Sequence, residues 1–275
     1  MDRYAVVGNP IAHSKSPRIH ALFAAQTHQT LVYEPLWVAV DQFAPAVDAF
    51  RRQGGLGLNV TLPFKLEAFA YAHRVSEPAK RARAVNTLAF DPDGSVFGDN
   101  TDGVGFVRDF LVNQGGILAG KAVLVLGAGG AAQGILQPLL DERPAQLFIA
   151  NRTAPKAIAL AEAFGDLGPV AGGGFDDLEG RSFDVVFNAT AAGLQGALPP
   201  LPKGLVGAHS VCYDLVYGHE PTPFMTWSRA QGVTRVADGL GMLVEQAAAA
   251  FALWRGVRPE TQPVIAQLRD EMARG

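Results

Sequence analysis

Val123-Leu124-Val125-Leu126 runs without a polar residue into Gly127-Ala128-Gly129-Gly130-Ala131, and this stretch decides the fold. A strand buried on both faces of a parallel sheet reads as an unbroken apolar run. The glycines after it let the backbone turn sharply and approach a pyrophosphate at the N-terminus of the next helix, read at 131–140. Ala132 stands where the motif has its last glycine, a replacement that it tolerates. Alone, the glycines also suit a plain tight turn between strand and helix. The stretch sits in the middle of the chain, which predicts that another domain comes first.

A second apolar strand, 147–150, ends at Asn151-Arg152-Thr153, about 20 residues past the glycines, where a ribose-reading residue is expected. No Asp or Glu stands there. An acidic side chain would accept from a 2′-hydroxyl and repel a 2′-phosphate, whereas Arg152, helped by Lys156, pairs with the phosphate. The expected cofactor is therefore NADP rather than NAD. Each cation alone also reads as a solvated surface charge, and it is the spacing from the glycines that favours the cofactor.

The chain has 275 residues, which predicts two domains of roughly 100 to 150 residues. Charged residues make up 18% and apolar ones 48%, with a formal net charge of −3, so nothing recommends a nucleic-acid surface or a polybasic membrane patch. A small-molecule partner is expected, with a monomer or homodimer as the assembly. The single cysteine, Cys212, rules out an intrachain disulfide and reads as an inert buried thiol in a reducing compartment. His13, His20, His28, His73, His209 and His219 show no metal-ligand spacing, and no metal is expected. The first residues read as a strand rather than a signal, and no apolar run approaches the roughly 18 residues of a membrane span, which predicts a cytoplasmic protein.

In the first half, strand patterns at 4–8, 31–38 and 56–60 alternate with helical ones at 17–26 and 43–53. Strands 85–90 and 95–97 flank Asp91-Pro92-Asp93-Gly94, a turn that predicts a hairpin and one antiparallel strand in an otherwise parallel sheet. From Lys121 the rhythm restarts, with strands at 122–126, 147–150, 184–188, 210–214 and 234–236. The helix at 242–254 is almost free of polar residues and must be buried, which places it back on the first domain; a final helix is read at 259–274. The Gly/Pro-rich stretch 193–204 reads as a loop beside the cofactor. The expected fold is α/β, with an N-terminal mixed-sheet substrate domain (1–102 plus 238–275), a doubly wound Rossmann-type NADP domain (103–237) and a cleft between them.

A nicotinamide cofactor needs a hydride partner, so polar loops at the strand ends of the first domain are the place to look. Three qualify: Gly8-Asn9-Pro10-Ile11-Ala12-His13-Ser14-Lys15-Ser16-Pro17, then Asn59-Val60-Thr61-Leu62-Pro63-Phe64-Lys65, then Gly98-Asp99-Asn100-Thr101-Asp102-Gly103. Together they resemble the shikimate dehydrogenase family. The resemblance extends to Ala84-Val85-Asn86-Thr87, the glycine turn with Gly127, Gly129, Gly130 and Ala131, Asn151-Arg152-Thr153, Asn188-Ala189-Thr190 and Gly239-Leu240-Gly241-Met242-Leu243-Val244-Glu245-Gln246. It implies reversible NADPH-dependent reduction of 3-dehydroshikimate to shikimate, on the route to chorismate and the aromatic amino acids.

Moving hydride onto a ketone leaves an alkoxide that gains a proton as it forms. The resemblance makes Lys65 and Asp102 the catalytic pair: a lysine stabilises or protonates the oxyanion, and a neighbouring carboxylate orients it. Which of them moves the proton is left open by the sequence. Without the flanking motifs, Lys65 reads as a surface lysine starting a helix and Asp102 as the N-cap of a helix at 104–111. The resemblance further implies Ser14 and Ser16 as donors to the substrate carboxylate, and Asn59, Thr61, Asn86 and Gln246 as partners of the ring hydroxyls. Ser16-Pro17 also reads as a helix cap pair, and the two asparagines also suit local backbone groups. Tyr217 corresponds to a tyrosine near the substrate, and Thr190, Gly239 and Met242 to positions lining the nicotinamide. Ala191-Ala192 departs from the hydroxyl or proline common there.

Three other readings compete. For a quinate/shikimate dehydrogenase using NAD, Arg152 and Lys156 oppose the cofactor choice, while the sequence leaves a pocket for the extra hydroxyl open. A non-catalytic NADP or metabolite sensor is opposed by the intact Lys65 and Asp102. A folate-linked dehydrogenase would share the glycine turn but not the three loops.

Overall fold

Strand patterns restart at Lys121, and two sheets result. The computed structural model describes residues 1–190, 192 and 196–274. They divide into two units, Met1–Gly105 with Val244–Leu268 and Phe106–Leu243 with Arg269–Gly275. Ala191 and residues 193–195 of the expected cofactor-side loop lie outside the described residues.

The first unit contains β1 (Asp2–Gly8), α1 (Ser16–Gln26), β2 (Leu31–Trp37), α2 (Phe43–Arg52), β3 (Gly55–Val60), α3 (Lys65–Tyr71), β4 (Arg74–Val75), α4 (Glu77–Ala82), β5 (Thr87–Phe90), β6 (Val96–Asp99) and the start of α5 (Asp102–Arg108). Its sheet runs β2-β1-β3-β5-β6-β4. Only β5 runs against its neighbours, pairing antiparallel with both β3 and β6, as the Asp91–Gly94 turn requires. This one reversal matters for the site. Asn86, which precedes β5, comes to the same edge of the sheet as residues that follow β1, β3 and β6.

Alternation along the strands sends side chains to two apolar layers. Ala5, Val7, Leu58, Val60 and Leu88 face Val47, Phe50 and Phe64 on one side. On the other, Tyr4 stacks on Trp254 with ring centroids 4.7 Å apart, and Trp254 Nε1 donates to the Leu88 carbonyl at 3.0 Å. Gly57 is what admits that indole, since a Cβ there would lie 2.4 Å from Nε1. Trp254 belongs to the apolar helix, which spans Leu240–Arg255 and so meets the first sheet through its C-terminal half.

The second unit adds a π turn at Asp109–Asn113, then β7 (Ala122–Leu126), α6 (Gly130–Asp141), β8 (Gln146–Ala150), α7 (Ala154–Phe164), β9 (Val170–Gly173), β10 (Val185–Asn188), β11 (Val211–Asp214), α8 (Pro223–Ala230) and β12 (Arg235–Asp238). It also holds the start of α9 (Leu240–Arg255) and the end of α10 (Gln262–Arg274). All its strands pair in parallel, in the order β12-β11-β10-β7-β8-β9. β7 is buried from Val123 to Leu126, as its apolar run demands. Among the described residues no helix is long and apolar enough to cross a membrane.

Two local readings change. Ser16 does not cap α1: it is the first helical residue, and the cap position falls on Lys15, whose side chain makes no capping hydrogen bond. The helix expected at 104–111 starts at Asp102 and widens into the π turn at Asp109, a buried carboxylate that accepts from the Tyr213 hydroxyl at 2.6 Å.

Candidate active site

The loops after β1 and β3 are laced together by backbone. Asn9 N–H donates to the Leu62 carbonyl at 3.0 Å and Thr61 N–H to the Val7 carbonyl at 2.9 Å. Gly8 makes the approach possible, because a Cβ there would lie 2.6 Å from the Thr61 methyl. In the first loop Ser14 Oγ accepts from the Ser16 N–H at 3.2 Å, so both serines belong to one tight turn at the start of α1. The second loop ends with Lys65 at the first position of α3.

Lys65 Nζ donates to Asp102 Oδ2 at 2.5 Å, with side-chain exposures of 29% and 20%. The pair is thus partly screened from water yet open to a ligand. Asp102 is fixed from its other oxygen, since Asn86 Nδ2 donates to Oδ1 at 2.8 Å, and its N–H reaches Asn100 Oδ1 at 3.2 Å. Asn86 also reaches Gln246 Oε1 at 3.4 Å and accepts the Thr101 N–H at 2.8 Å. Gln246 is held close because Gly105 of α5 lacks a Cβ, which would lie 2.5 Å from the Gln246 N. So Lys65, Asp102, Asn86 and Gln246 form one contiguous polar cluster.

Both asparagines spend their amides on the protein. Asn59 Nδ2 donates to Thr87 Oγ1 at 3.0 Å and to the Asn86 carbonyl at 3.3 Å, while its Oδ1 accepts from Tyr33 at 2.7 Å. Both are almost fully buried, which is why their polar atoms need partners. Thr87, Asn100 and Thr101 stand inside the quoted motifs but carried no assignment; their signal was small polar residues where β5 starts and where β6 ends.

In the second unit, Leu126 of β7 pairs with Ala150 of β8 and with Asn188 of β10. That register brings Gly127, Asn151 and Ala189 to one edge of the sheet. Gly127 adopts φ of 105° and donates its N–H to the Ala150 carbonyl at 2.7 Å, a conformation that a side chain would strain. Gly129 and Gly130 have open space where a Cβ would stand, and α6 begins at Gly130 with no side-chain cap. The first N–H groups of α6, at Gly130 and at exposed Ala131, therefore face outward at the positive end of the helix dipole.

Arg152, Thr153 and Lys156 are exposed beyond β8, and neither cation has an ion-pair partner among the described residues. Asn151 turns its amide to the Thr153 carbonyl at 3.1 Å. Thr190 donates its hydroxyl to Asn188 Oδ1 at 2.7 Å, and Asn188 in turn donates to Asp214 Oδ1 at 3.1 Å. Burial pushes the Asp214 carboxyl above the usual range, against hydrogen bonds from Thr222, Val216 and Asn188. Gly239 lies so close to β11 that a Cβ would be 2.1 Å from the Leu215 carbonyl oxygen, and Met242 packs partly buried on the core of this unit. Tyr217 follows β11, partly buried, with its phenol pushed up by burial and then by the charge of Asp238. Cys212 is buried, which pushes its thiol up to about 11.

Three family descriptions match the chain: "Shikimate dehydrogenase substrate binding domain" over residues 6–88, "Shikimate / quinate 5-dehydrogenase" over 111–195 and "Shikimate 5'-dehydrogenase C-terminal domain" over 239–269. A curated relative from Nitrosococcus oceani, named shikimate dehydrogenase (NADP(+)), is 55% identical over 271 residues, spanning 98% of this chain and 96% of its own. The crystal structure of an Ael1 enzyme from Pseudomonas putida has a TM-score of 0.91 at 49% identity, covering 98% of each chain. The shikimate 5-dehydrogenase of Thermus thermophilus, solved with NADP(H) and shikimate, has a TM-score of 0.85 at 34% identity, covering 99% of this chain and all of that one.

Proposed function

The chain belongs to the shikimate dehydrogenase family, and we propose that it reduces 3-dehydroshikimate to shikimate, reversibly, with NADPH as the electron donor. The observation that carries the reading is the Lys65–Asp102 pair, held at 2.5 Å and anchored by Asn86. In the reduction, ketone, NADPH and one proton become alcohol and NADP+.

Bound NADPH supplies the hydride at its nicotinamide. Lys65 meets the carbonyl oxygen with its ammonium, stabilises charge as it develops there, and with Asp102 handles the proton that the alcohol gains. Asp102 holds the ammonium in place and accepts from a ring hydroxyl. Ser14 and Ser16, in their shared turn, donate to the substrate carboxylate. Thr61, Asn59, Asn86 and Gln246 surround the ring hydroxyls, with the two asparagines contributing through the order they impose on Asp102 as much as by contact. Tyr217 completes the substrate contacts.

The second unit suits NADP. Open space at Gly129 and Gly130, with uncapped N–H groups at Gly130 and Ala131, accepts a pyrophosphate at the start of α6. Arg152 and Lys156 pair with the 2′-phosphate, beside Asn151 and Thr153, without giving up an existing ion pair. Thr190, Gly239 and Met242 line the nicotinamide end. A substrate domain in 1–102 with 238–275 and an NADP domain in 103–237 are supported by the division into the compact units Met1–Gly105 with Val244–Leu268 and Phe106–Leu243 with Arg269–Gly275. The reading includes a cytoplasmic protein, monomeric or homodimeric.

Absorbance at the reduced-nicotinamide band tests this, with shikimate and quinate each offered against NADP and NAD. The expected result is fast reduction with shikimate and NADP only. Equal rates with quinate or NAD would move the protein to the broader-specificity branch, and no turnover with any pair would leave a binding protein.

A further inference from the structure

Tyr33 lies on β2 and entered no motif, yet a run of four hydrogen bonds leads from its hydroxyl to Asp102. Tyr33 donates to Asn59 Oδ1 at 2.7 Å, Asn59 Nδ2 to Thr87 Oγ1 at 3.0 Å, Thr87 Oγ1 to Asn86 Oδ1 at 2.9 Å, and Asn86 Nδ2 to Asp102 Oδ1 at 2.8 Å. Every donor points the same way, toward the carboxylate that holds Lys65. An amide has one acceptor and one donor end, so whichever group meets Asn59 Oδ1 decides that Nδ2 faces Thr87. The phenol makes that choice together with the Asn86 carbonyl, which accepts from Nδ2 at 3.3 Å. Burial keeps the phenol neutral, raising its titration well above the usual range, with the Ser16 hydroxyl partly opposing.

The ring itself is clamped. His20, buried on α1, stacks on Tyr33 with centroids 4.0 Å apart and planes 6° from parallel. Among the described residues neither His20 nitrogen has a hydrogen-bond partner. A buried side chain with two unpaired polar atoms costs stability, and here its ring serves as a flat plate behind the phenol.

We propose that Tyr33 is a positioning residue of this site, whose hydroxyl fixes the Asn59 amide and, through Thr87 and Asn86, the orientation of Asp102. The proposal rests on the reading of Lys65 and Asp102 as the proton-handling pair. Removing the donor leaves Asn59 Oδ1 without that partner, so the amide is held by its Nδ2 contacts to Thr87 and the Asn86 carbonyl and the one-way order loosens.

The test is Tyr33→Phe, beside a protein with 4-aminophenylalanine at position 33, which keeps a donor at similar reach. Loss of one neutral hydrogen bond is expected to lower kcat/KM for shikimate about fivefold, with KM for NADP unchanged, and the amino analogue is expected to restore most of it. Tyr33→Phe combined with Asn59→Ala is expected to be no worse than Asn59→Ala alone, because both act on one chain. Unchanged kinetics, or losses that multiply in the double variant, would overturn the proposal. Side-chain amide signals of Asn59 and Asn86, followed by NMR, decide the positioning without catalysis: both shift in Tyr33→Phe if it holds and stay put if it does not. Should the wild type not turn over shikimate, the reading of function fails while those signals still decide the role of Tyr33. If Tyr33→Phe does not fold, the amino analogue stands in, with wild-type amide signals expected and altered ones contradicting the proposal.

Discussion

The substrate edge of the first unit and the glycine turn of the second face opposite problems. At the substrate edge, Asn59, Asn86, Thr87, Thr101 and Asp102 already satisfy one another, so the cluster is organised before any ligand arrives. At the glycine turn, the start of α6 has no side-chain cap and Arg152 and Lys156 have no ion-pair partner among the described residues, so its polar groups are left for a ligand to complete. Proton handling needs fixed geometry and rewards preorganisation. Phosphate binding uses bare backbone and charge.

The contrast can be broken most sharply at Lys65. Lys65→Ala is expected to keep its melting temperature and its affinity for NADP while losing about 10³-fold in kcat; a variant within a few-fold of wild type in steady-state assays would remove the pair from the chemistry. Arg152→Asp comes next. Replacing a charge-assisted contact with a repulsive one is expected to shift the NADP/NAD preference about 10- to 100-fold toward NAD, read as the ratio of kcat/KM values, with KM for shikimate unmoved. An unchanged ratio would assign the 2′-phosphate to another group.

Gly130→Ala sharpens the comparison further. Nothing lies within 4 Å of the added Cβ. The free protein is therefore expected to be as stable as wild type or up to about 1 kcal/mol more so, since alanine favours helix, while KM for NADP rises about tenfold as the methyl meets the phosphates. Calorimetric melting and kinetics read the two effects separately.

The last test reads stability rather than catalysis, at His20. Burial lowers its titration from 6.5 to about 3. The unfolded chain binds the proton first, so stability is full above about pH 6.5 and falls as pH drops toward about 3, by at most about 1.4 kcal/mol per pH unit. His20→Phe removes that slope. Denaturant midpoints between pH 7 and 4 measure it, and equal slopes in both proteins would contradict a neutral buried imidazole.

The parallel core and its glycine turn were legible because burial on both faces writes itself as apolar runs such as Val123–Leu126. β9 was not, since Val170-Ala171-Gly172-Gly173 carries no such run; a Cβ at Gly172 would lie 2.2 Å from the Ala157 carbonyl oxygen of α7, so the strand is chosen for closeness rather than for apolar bulk. The loops of the candidate site could be read from Ser14, Thr61, Lys65 and Asp102 because their residue types carry chemistry. Tyr33 and His20 could not. Their role lies in a stacking distance and a hydrogen-bond direction between residues far apart in the chain, which no local spacing records. Ser16 misled for a local reason: Ser-Pro is a good capping pair, but the turn closed by Ser14 Oγ shifts the helix start by one residue.

Native-state amide hydrogen exchange of the free protein, then with NADP and with shikimate separately, tests the central contrast most directly. The Thr101 amide, bonded to Asn86 Oδ1 at 2.8 Å, is expected to be protected already in the free protein and little changed by shikimate, whereas Gly130 and Ala131 exchange freely until NADP protects them. A Thr101 amide that gains protection only with shikimate, or a start of α6 indifferent to NADP, would contradict the account.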